Sequence, residues 1–457
     1  MIKKAATKPA QIVALGFMAA IAVGTVLLSL PISRAEGGFG RGLEAFFTAT
    51  SAVTVTGLST VNVETFWTPF GHLVILGLIK IGGFGIITFA TLLGVLVSSR
   101  IGLRSRVTAG KESASVSGGD VRKLLKQVLL VSAAIELLVT AMLAIRFMAF
   151  YNYSLGDALW HGLFHSVASF NNAGFSLYGS NLVNFATDPF IQLPIDLAVI
   201  LGGLGFPVLF ELGRRLSKRV EKNRVGGVIE SKLHWTLTTR IVLWAYVILA
   251  VAGTLYIAAL EWNNPATLGQ FDVAGKILNA FTASVQPRTA GFNTLDLSQM
   301  QPETWLGMDV LMFIGAGSGG TGGGIKVATA AILIFIVLTE IRGDTAVNVG
   351  KRRLPRSIQR EALTIVLLSA LAVASSVVVL SLLTEYTTDQ LLFEVISAFA
   401  TVGLSTGITG QLPNLAQLVI IAVMFTGRIG TVAVASALAS RVRHAHFEYP
   451  KERPTIG

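Results

Sequence analysis

Thr54-Val55-Thr56-Gly57-Leu58-Ser59 is one of four short stretches built on the same plan. The others are Asn171-Asn172-Ala173-Gly174-Phe175-Ser176, Arg288-Thr289-Ala290-Gly291-Phe292-Asn293 and Ala400-Thr401-Val402-Gly403-Leu404-Ser405. Successive glycines lie 117, 117 and 112 residues apart. A bulky apolar residue and then a small polar one follow each glycine. A phenylalanine precedes it by ten positions: Phe47, Phe164, Phe281 and Phe393. Recurrence at a near-constant period marks a structural repeat.

Each stretch ends an apolar segment too short to cross a bilayer, and each lies between two longer ones. The longer segments run near residues 10–30, 70–97, 127–145, 190–210, 241–260, 305–339, 363–384 and 415–440, and a span needs about 20 residues. The repeat unit is span, half-helix, turn, span. The expected fold is therefore an all-α polytopic membrane protein, with four pseudo-fourfold span–pore-loop–span repeats around one central pore. Repeat 1 covers residues 10–99, repeat 2 121–215, repeat 3 235–341 with an intramembrane loop at 315–326, and repeat 4 360–441. Residues 1–9 and 442–457 form the two ends.

Composition agrees with this reading. Of the 457 residues 13% are charged, about half the usual soluble share of about 25%, and mean hydropathy is +0.67. The absence of cysteine excludes disulfides, thiolate metal sites and cysteine nucleophiles. The net charge of +11 has a topological origin: 28 of the 36 basic residues fall at the two ends and in alternate connectors. Those connectors include Arg104, Arg106 and Lys111, then Arg214, Arg215 and Lys232, then Lys351, Arg352 and Arg353. The positive-inside rule puts that face, and both termini, in the cytoplasm. The basicity thus needs no nucleic acid. Lys3, Lys4 and Lys8 with Ser33-Arg34-Ala35 imitate a signal peptide, but the 21 uncharged residues between them are long for one.

Irregular backbone at membrane depth is tolerated only against protein or a water-filled cavity. Four such turns around one axis form a ring of carbonyls able to replace the hydration shell of a monovalent cation. Glycine supplies the positive φ such a turn needs, and each half-helix aims its negative end at the ion. The candidate ion-binding carbonyls are those of Thr54, Val55, Thr56 and Gly57; Asn171, Asn172, Ala173 and Gly174; Arg288, Thr289, Ala290 and Gly291; and Ala400, Thr401, Val402 and Gly403. Arg288 sits where a cation must pass. Its side chain is expected to turn behind the ring and pair with Glu44 or Glu394, because an unpaired charge would repel the ion.

The first spans are mostly free of charge, with Glu136 the exception, whereas the second spans carry Lys80, Asp196, Asp309, Lys326 and Arg428 and a further glycine pattern. Gly82-Gly83-Phe84-Gly85 and Gly202-Gly203-Leu204-Gly205 read as close helix packing through small residues. In the fourth repeat Arg428 replaces the second glycine, and arginine deep in a span faces a cavity or a partner. In the third, Gly315-Ala316-Gly317-Ser318-Gly319-Gly320-Thr321-Gly322-Gly323-Gly324 holds seven glycines in ten positions. Each costs about 1 kcal/mol in a helix, so the segment is expected to be an unwound loop just inside the ring. It imitates a dinucleotide fingerprint without the required βαβ context. His161 and His165 have zinc-like spacing, but Gly162 stands where a glutamate is needed. No nucleophile–base pair or complete metal motif points to an enzyme.

On these turns, the glycine run and Arg428, the chain resembles the Ktr/Trk/HKT superfamily of potassium transporters over residues 10–440. It is most similar to the KtrB-type membrane subunits of bacterial Ktr systems, a choice favoured by size and the lack of a long N-terminal extension. The resemblance implies K⁺ uptake across the cytoplasmic membrane, stimulation by Na⁺, a homodimer, and a cytosolic KtrA-like nucleotide-binding ring docked on the basic face. It also implies a gate formed by Gly315, Gly317, Gly319, Gly320, Thr321, Gly322, Gly323, Gly324 and Lys326, with Arg428 as a barrier beside it. A single glycine per turn suggests loose K⁺/Na⁺ discrimination. A Na⁺-selective or cation-coupled secondary transporter is the alternative. All four units share one orientation, which favours a static pore over the inverted repeats common in such transporters.

Overall fold

The structure, a computed structural model, describes residues 9–37, 42–100, 118–225, 235–350 and 352–440. Most of the expected N-terminal segment, the C-terminal segment 442–457, and Arg104, Arg106, Lys111, Lys232 and Lys351 lie outside the described residues.

The first quarter contains α1 (Pro9–Ser29), the half-helix α2 (Gly42–Thr54), one turn α3 (Val63–Phe66) and α4 (Pro69–Arg100). The second contains α5 (Gly118–Tyr151), the half-helix α6 (Leu155–Phe170), α7 (Pro189–Leu204) and α8 (Phe206–Val225). The third contains α9 (Leu237–Glu261), the half-helix α10 (Val273–Val285), α11 (Pro302–Ile314) and α12 (Val327–Arg342). A two-residue-per-strand antiparallel hairpin, β1 (Asn348–Val349) against β2 (Arg352–Arg353), leads into the fourth quarter. There stand α13 (Arg356–Leu383), the half-helix α14 (Thr388–Ala400) and α15 (Asn414–Ser440).

Local sequence sets these boundaries. The half-helices have 13 to 16 residues, or about 20–24 Å, against a bilayer core of about 30 Å. Three begin on caps: Ser154 accepts from Asp157 N, Asp272 from Gly275 N, and Thr387 forms a capping box with Gln390. Pro189 and Pro302 occupy the first helical position of α7 and α11, where a missing N–H costs nothing.

Two of the eight apolar stretches are not single helices. The sixth is interrupted by the glycine run, as expected. The fourth is interrupted at Gly205 (φ 93°), and α7 and α8 meet there at a bend of 105°. The expectation of plain close packing therefore fails at Gly205, since no side-chain-bearing residue adopts that φ comfortably. It holds at Gly82, where a Cβ would overlap the Val53 carbonyl, and at Gly83, where one would overlap the Asn171 side chain.

The four quarters interlock in sequence. The second span of each packs on the half-helix of the next: α4 on α6, α7 on α10, α11 on α14, and α15 on α2. The last contact joins the end of the chain to its beginning. Phe47, Phe164 and Phe393 are fully buried between half-helix and spans, while Phe281 is half-buried.

Candidate functional site

The half-helices end in one repeated geometry. Two residues before each glycine the chain takes a left-handed conformation: Val55 (φ 57°), Asn172 (58°), Thr289 (75°) and Thr401 (52°). The glycines follow at φ 93°, 63°, 82° and 96°. Positive φ is costly for any residue with a Cβ, and most of all for β-branched ones. Its recurrence at four equivalent places, three of them Val or Thr, marks strain held by the surrounding structure. Backbone bonds close three of the turns alike. Thr56 N donates to Ser51 O, Ala173 N to Ala168 O and Val402 N to Ser397 O, each at 2.8 Å. The third turn differs, with Ala290 N and Gly291 N both donating to Gln286 O. The sequence pointed to the glycines and missed the left-handed residues, because no residue type is common to those four positions.

The turns also touch in a closed cycle. A Cβ on Gly57 would overlap the carbonyl of Ala173, one on Gly174 that of Ala290, one on Gly291 that of Val402, and one on Gly403 that of Thr56. Each such Cβ would stand 3.0–3.1 Å from the Cα of the next glycine in the cycle. The four expected turns are thus brought into one ring, with Leu58, Phe175, Phe292 and Leu404 buried just beyond it.

Polar side chains buttress the ring from behind. Ser51 Oγ accepts from Gly57 N and Ser397 Oγ from Gly403 N. Glu136 on α5 forms an ion pair with Lys80 on α4 and accepts from Asn171 Nδ2 at 3.1 Å. Asp196 on α7 accepts from Thr282 Oγ1 and Gln286 Nε2, both at 2.8 Å, and Gln286 Oε1 in turn accepts from Phe292 N. Glu136 and Gln286 are turn supports that the spacing argument did not identify.

Arg288 corrects an expectation. It is 1% exposed and pairs with neither Glu44 nor Glu394. Both acids precede their own glycines by nine or more residues, Glu44 in the first turn of its half-helix and Glu394 at the middle of its own. Glu394 already accepts from Ser405 and Thr409. Arg288 instead turns back onto α9, donating to the Tyr246 carbonyl at 2.9 Å with its guanidinium 4.7 Å from the centre of the Tyr246 ring.

The glycine run lies directly against the ring, unwound as expected. Gly317 N donates to Gly203 O, Thr321 N to Gly202 O and Phe206 N to Gly319 O, so the loop docks on the broken end of α7. Thr321 Oγ1 donates to Asn172 Oδ1 at 2.9 Å, and Asn172 Nδ2 lies 3.3 Å from Thr289 Oγ1. Gly322 and Gly323 have no room for a Cβ beside Thr289 and Thr401. Lys326 folds over the loop and donates to Gly322 O. Arg428, 1% exposed, reaches in from α15 and donates to Thr321 O at 2.5 Å and to Gly82 O at 3.2 Å. All the residues expected in the loop, with Lys326 and Arg428, therefore gather on one side of the ring.

His161 and His165 do not form a metal centre. His165 Nδ1 bonds the His161 carbonyl, and Tyr178 stacks on both rings. Among the described residues no group of three or more His, Asp or Glu side chains is placed to hold a metal.

Residues 2–446 match the TrkH family of cation transport proteins. The "Ktr system potassium uptake protein B" of Bacillus subtilis is 37% identical over 98% of this chain and 97% of its own length. Its counterpart in Vibrio alginolyticus is 34% identical over 98% and 94%. The "Potassium/sodium uptake protein NtpJ" of Enterococcus hirae is 32% identical over 98% and 97%. The crystal structure of the potassium transporter TrkH from Vibrio parahaemolyticus shares the fold, with a TM-score of 0.70 at 18% identity, covering 94% of this chain and 86% of that one. The chain is a multi-pass membrane protein belonging to the TrkH family of cation transport proteins.

Proposed function

We propose that the chain takes up K⁺ across the cytoplasmic membrane through the ring of turns at Gly57, Gly174, Gly291 and Gly403. The observation that carries this reading is the closed cycle of four strained turns, each ending a half-helix whose negative end faces the ring. The loop 315–326 is the gate, and Arg428 is its latch and an electrostatic barrier. The bond from Arg428 to Thr321 and the contacts of Thr321–Gly324 with the ring support those roles. The names of the Bacillus and Vibrio relatives support K⁺ as the ion and a partner subunit of a Ktr system, and the superfamily resemblance supports a KtrA-like cytosolic nucleotide-binding ring as that partner. The superfamily resemblance supports a homodimer and Na⁺ stimulation, and the basic residues of alternate connectors support cytoplasmic termini.

A second reading, in which Na⁺ passes as well, is favoured by the Enterococcus name. Uptake of K⁺ by a transport-deficient host expressing this chain, with and without Na⁺ and a KtrA-like partner, tests both. Growth rescue at low K⁺ is expected; Na⁺ uptake alongside K⁺ would select the second reading, and Na⁺ uptake without K⁺ would overturn K⁺ as the ion.

A further inference from the structure

A groove of about 440 Å³ opens between α9 and α12. Its walls carry Arg240, Trp244 and Ile248 of α9 and Ile314, Val327 and Ala331 of α11 and α12. Arg240, Trp244 and Ile248 are four residues apart and so share one helix face. Trp244 and Ile248 are 66% and 59% exposed, and Ile334 beside them on α12 is 58% exposed. The surface grades from a cation through an interfacial aromatic to pure hydrocarbon in two helical turns. Tryptophan concentrates where headgroups begin, and basic residues between spans on the cytoplasmic side bind anionic headgroups. The hairpin closes the groove at its Arg240 end through Val349, and Val347, Val349 and Leu354 pack there against α9 and α12.

We propose that this groove binds one anionic phospholipid of the cytoplasmic leaflet, phosphate on Arg240 and acyl chain along Trp244 and Ile248, and that the lipid holds the loop shut. Charge complementarity selects the occupant: Arg240 is exposed at the mouth of an otherwise apolar groove, and its volume falls within the about 300–1,000 Å³ typical of small-molecule sites. The connection to the loop is direct. Ile314 is the last residue of α11 and Val327 the first of α12, so the groove lining includes the two residues that bracket 315–326. The groove exists in the state where Arg428 holds Thr321. A ligand that fits that state shifts the population toward it. The gating half of the proposal rests on the reading of 315–326 as a gate; the binding half does not.

The test uses the full chain in vesicles of phosphatidylcholine, with and without phosphatidylglycerol. Quenching of Trp244 by brominated lipids, isolated by subtracting Trp244→Phe, reads binding. Brominated phosphatidylglycerol is expected to quench more strongly than brominated phosphatidylcholine at equal mole fraction. The preference should be lost in Arg240→Gln and kept in Arg240→Lys. Equal quenching by the two lipids, or a preference that survives Arg240→Gln, overturns the site. K⁺ flux reads gating: wild-type flux falls about fivefold with phosphatidylglycerol, from about one basic-residue contact, and Arg240→Gln removes the fall without changing flux in phosphatidylcholine. Flux indifferent to phosphatidylglycerol despite selective quenching overturns the gating half. Selective quenching with no K⁺ flux in any vesicle upholds the site and overturns the transport reading instead. The chain has no cysteine, so Ile334→Cys reports on a rival occupant. Cross-linking of two copies through it would show the groove covered by a second chain and overturn the lipid.

Discussion

Replacing Arg428 by alanine should raise K⁺ flux by a factor that the geometry sets. Arg428 is 1% exposed and donates to two carbonyls, Thr321 O in the loop and Gly82 O on α4. When the loop leaves, only the Thr321 bond breaks, because α4 does not belong to the moving segment. A hydrogen bond from a charged donor contributes about 1.5–3 kcal/mol, so its removal shifts the closed-to-open equilibrium about 10- to 150-fold. Other bonds still hold the loop, among them Gly317 N to Gly203 O and Thr321 Oγ1 to Asn172 Oδ1. The variant should therefore be leaky rather than permanently open. The assay is K⁺ or Rb⁺ flux into vesicles containing purified protein, normalised to the amount inserted. Arg428→Lys separates charge from grip: it keeps the cation but cannot reach both carbonyls with a planar fork. Low flux in the lysine variant assigns the effect to the charge, and high flux to the lost grip. Wild-type flux in Arg428→Ala, in a protein of unchanged thermal stability, would refute the latch altogether.

Deleting residues 317–322 should also raise flux, since it removes the segment lying against the ring; unchanged flux in inserted protein would count against a gate. Gly174→Ser should weaken K⁺ affinity much more than Na⁺ affinity, because the new Cβ meets the Ala290 carbonyl at a positive φ. Isothermal binding of the two ions measures this, and equal losses would indicate misfolding. Glu136→Met leaves Lys80 without its ion-pair partner and should cost about 3–5 kcal/mol. The Lys80→Met/Glu136→Met double variant should recover most of that in thermal unfolding. If the double variant is as unstable as the sum of the singles, the pair is not a unit.

The repeat was legible in the sequence because a ring of backbone turns leaves a backbone signature. Gly57, Gly174, Gly291 and Gly403 stand where a Cβ would overlap the carbonyl of the next turn. The glycine run was legible for the same reason. Other features were not. Val55, Asn172, Thr289 and Thr401 share a φ but no chemistry, so neither composition nor spacing reveals them. Gly205 breaks its span while Gly85, at the equivalent place, does not, although the two motifs look alike; the difference lies in what docks there, the glycine loop in one case and the Phe17 ring of α1 in the other. Arg288 was expected to seek a carboxylate. It found a carbonyl and an aromatic face on α9 instead, a tertiary choice among partners that sequence distance does not rank.

The contact of α15 with α2 has a consequence for how the molecule is made. The two halves of that contact are separated by more than 350 residues, so one side of the ring waits for the other throughout synthesis. Until the last quarter inserts, Gly57 has a neighbour on one side only, and the backbone strain at Val55 has nothing opposite to brace it. Long-range closure of this kind is slow and cooperative. A partly inserted chain therefore holds an open arc of turns, and the ring closes only once the last quarter has packed α15 against α2.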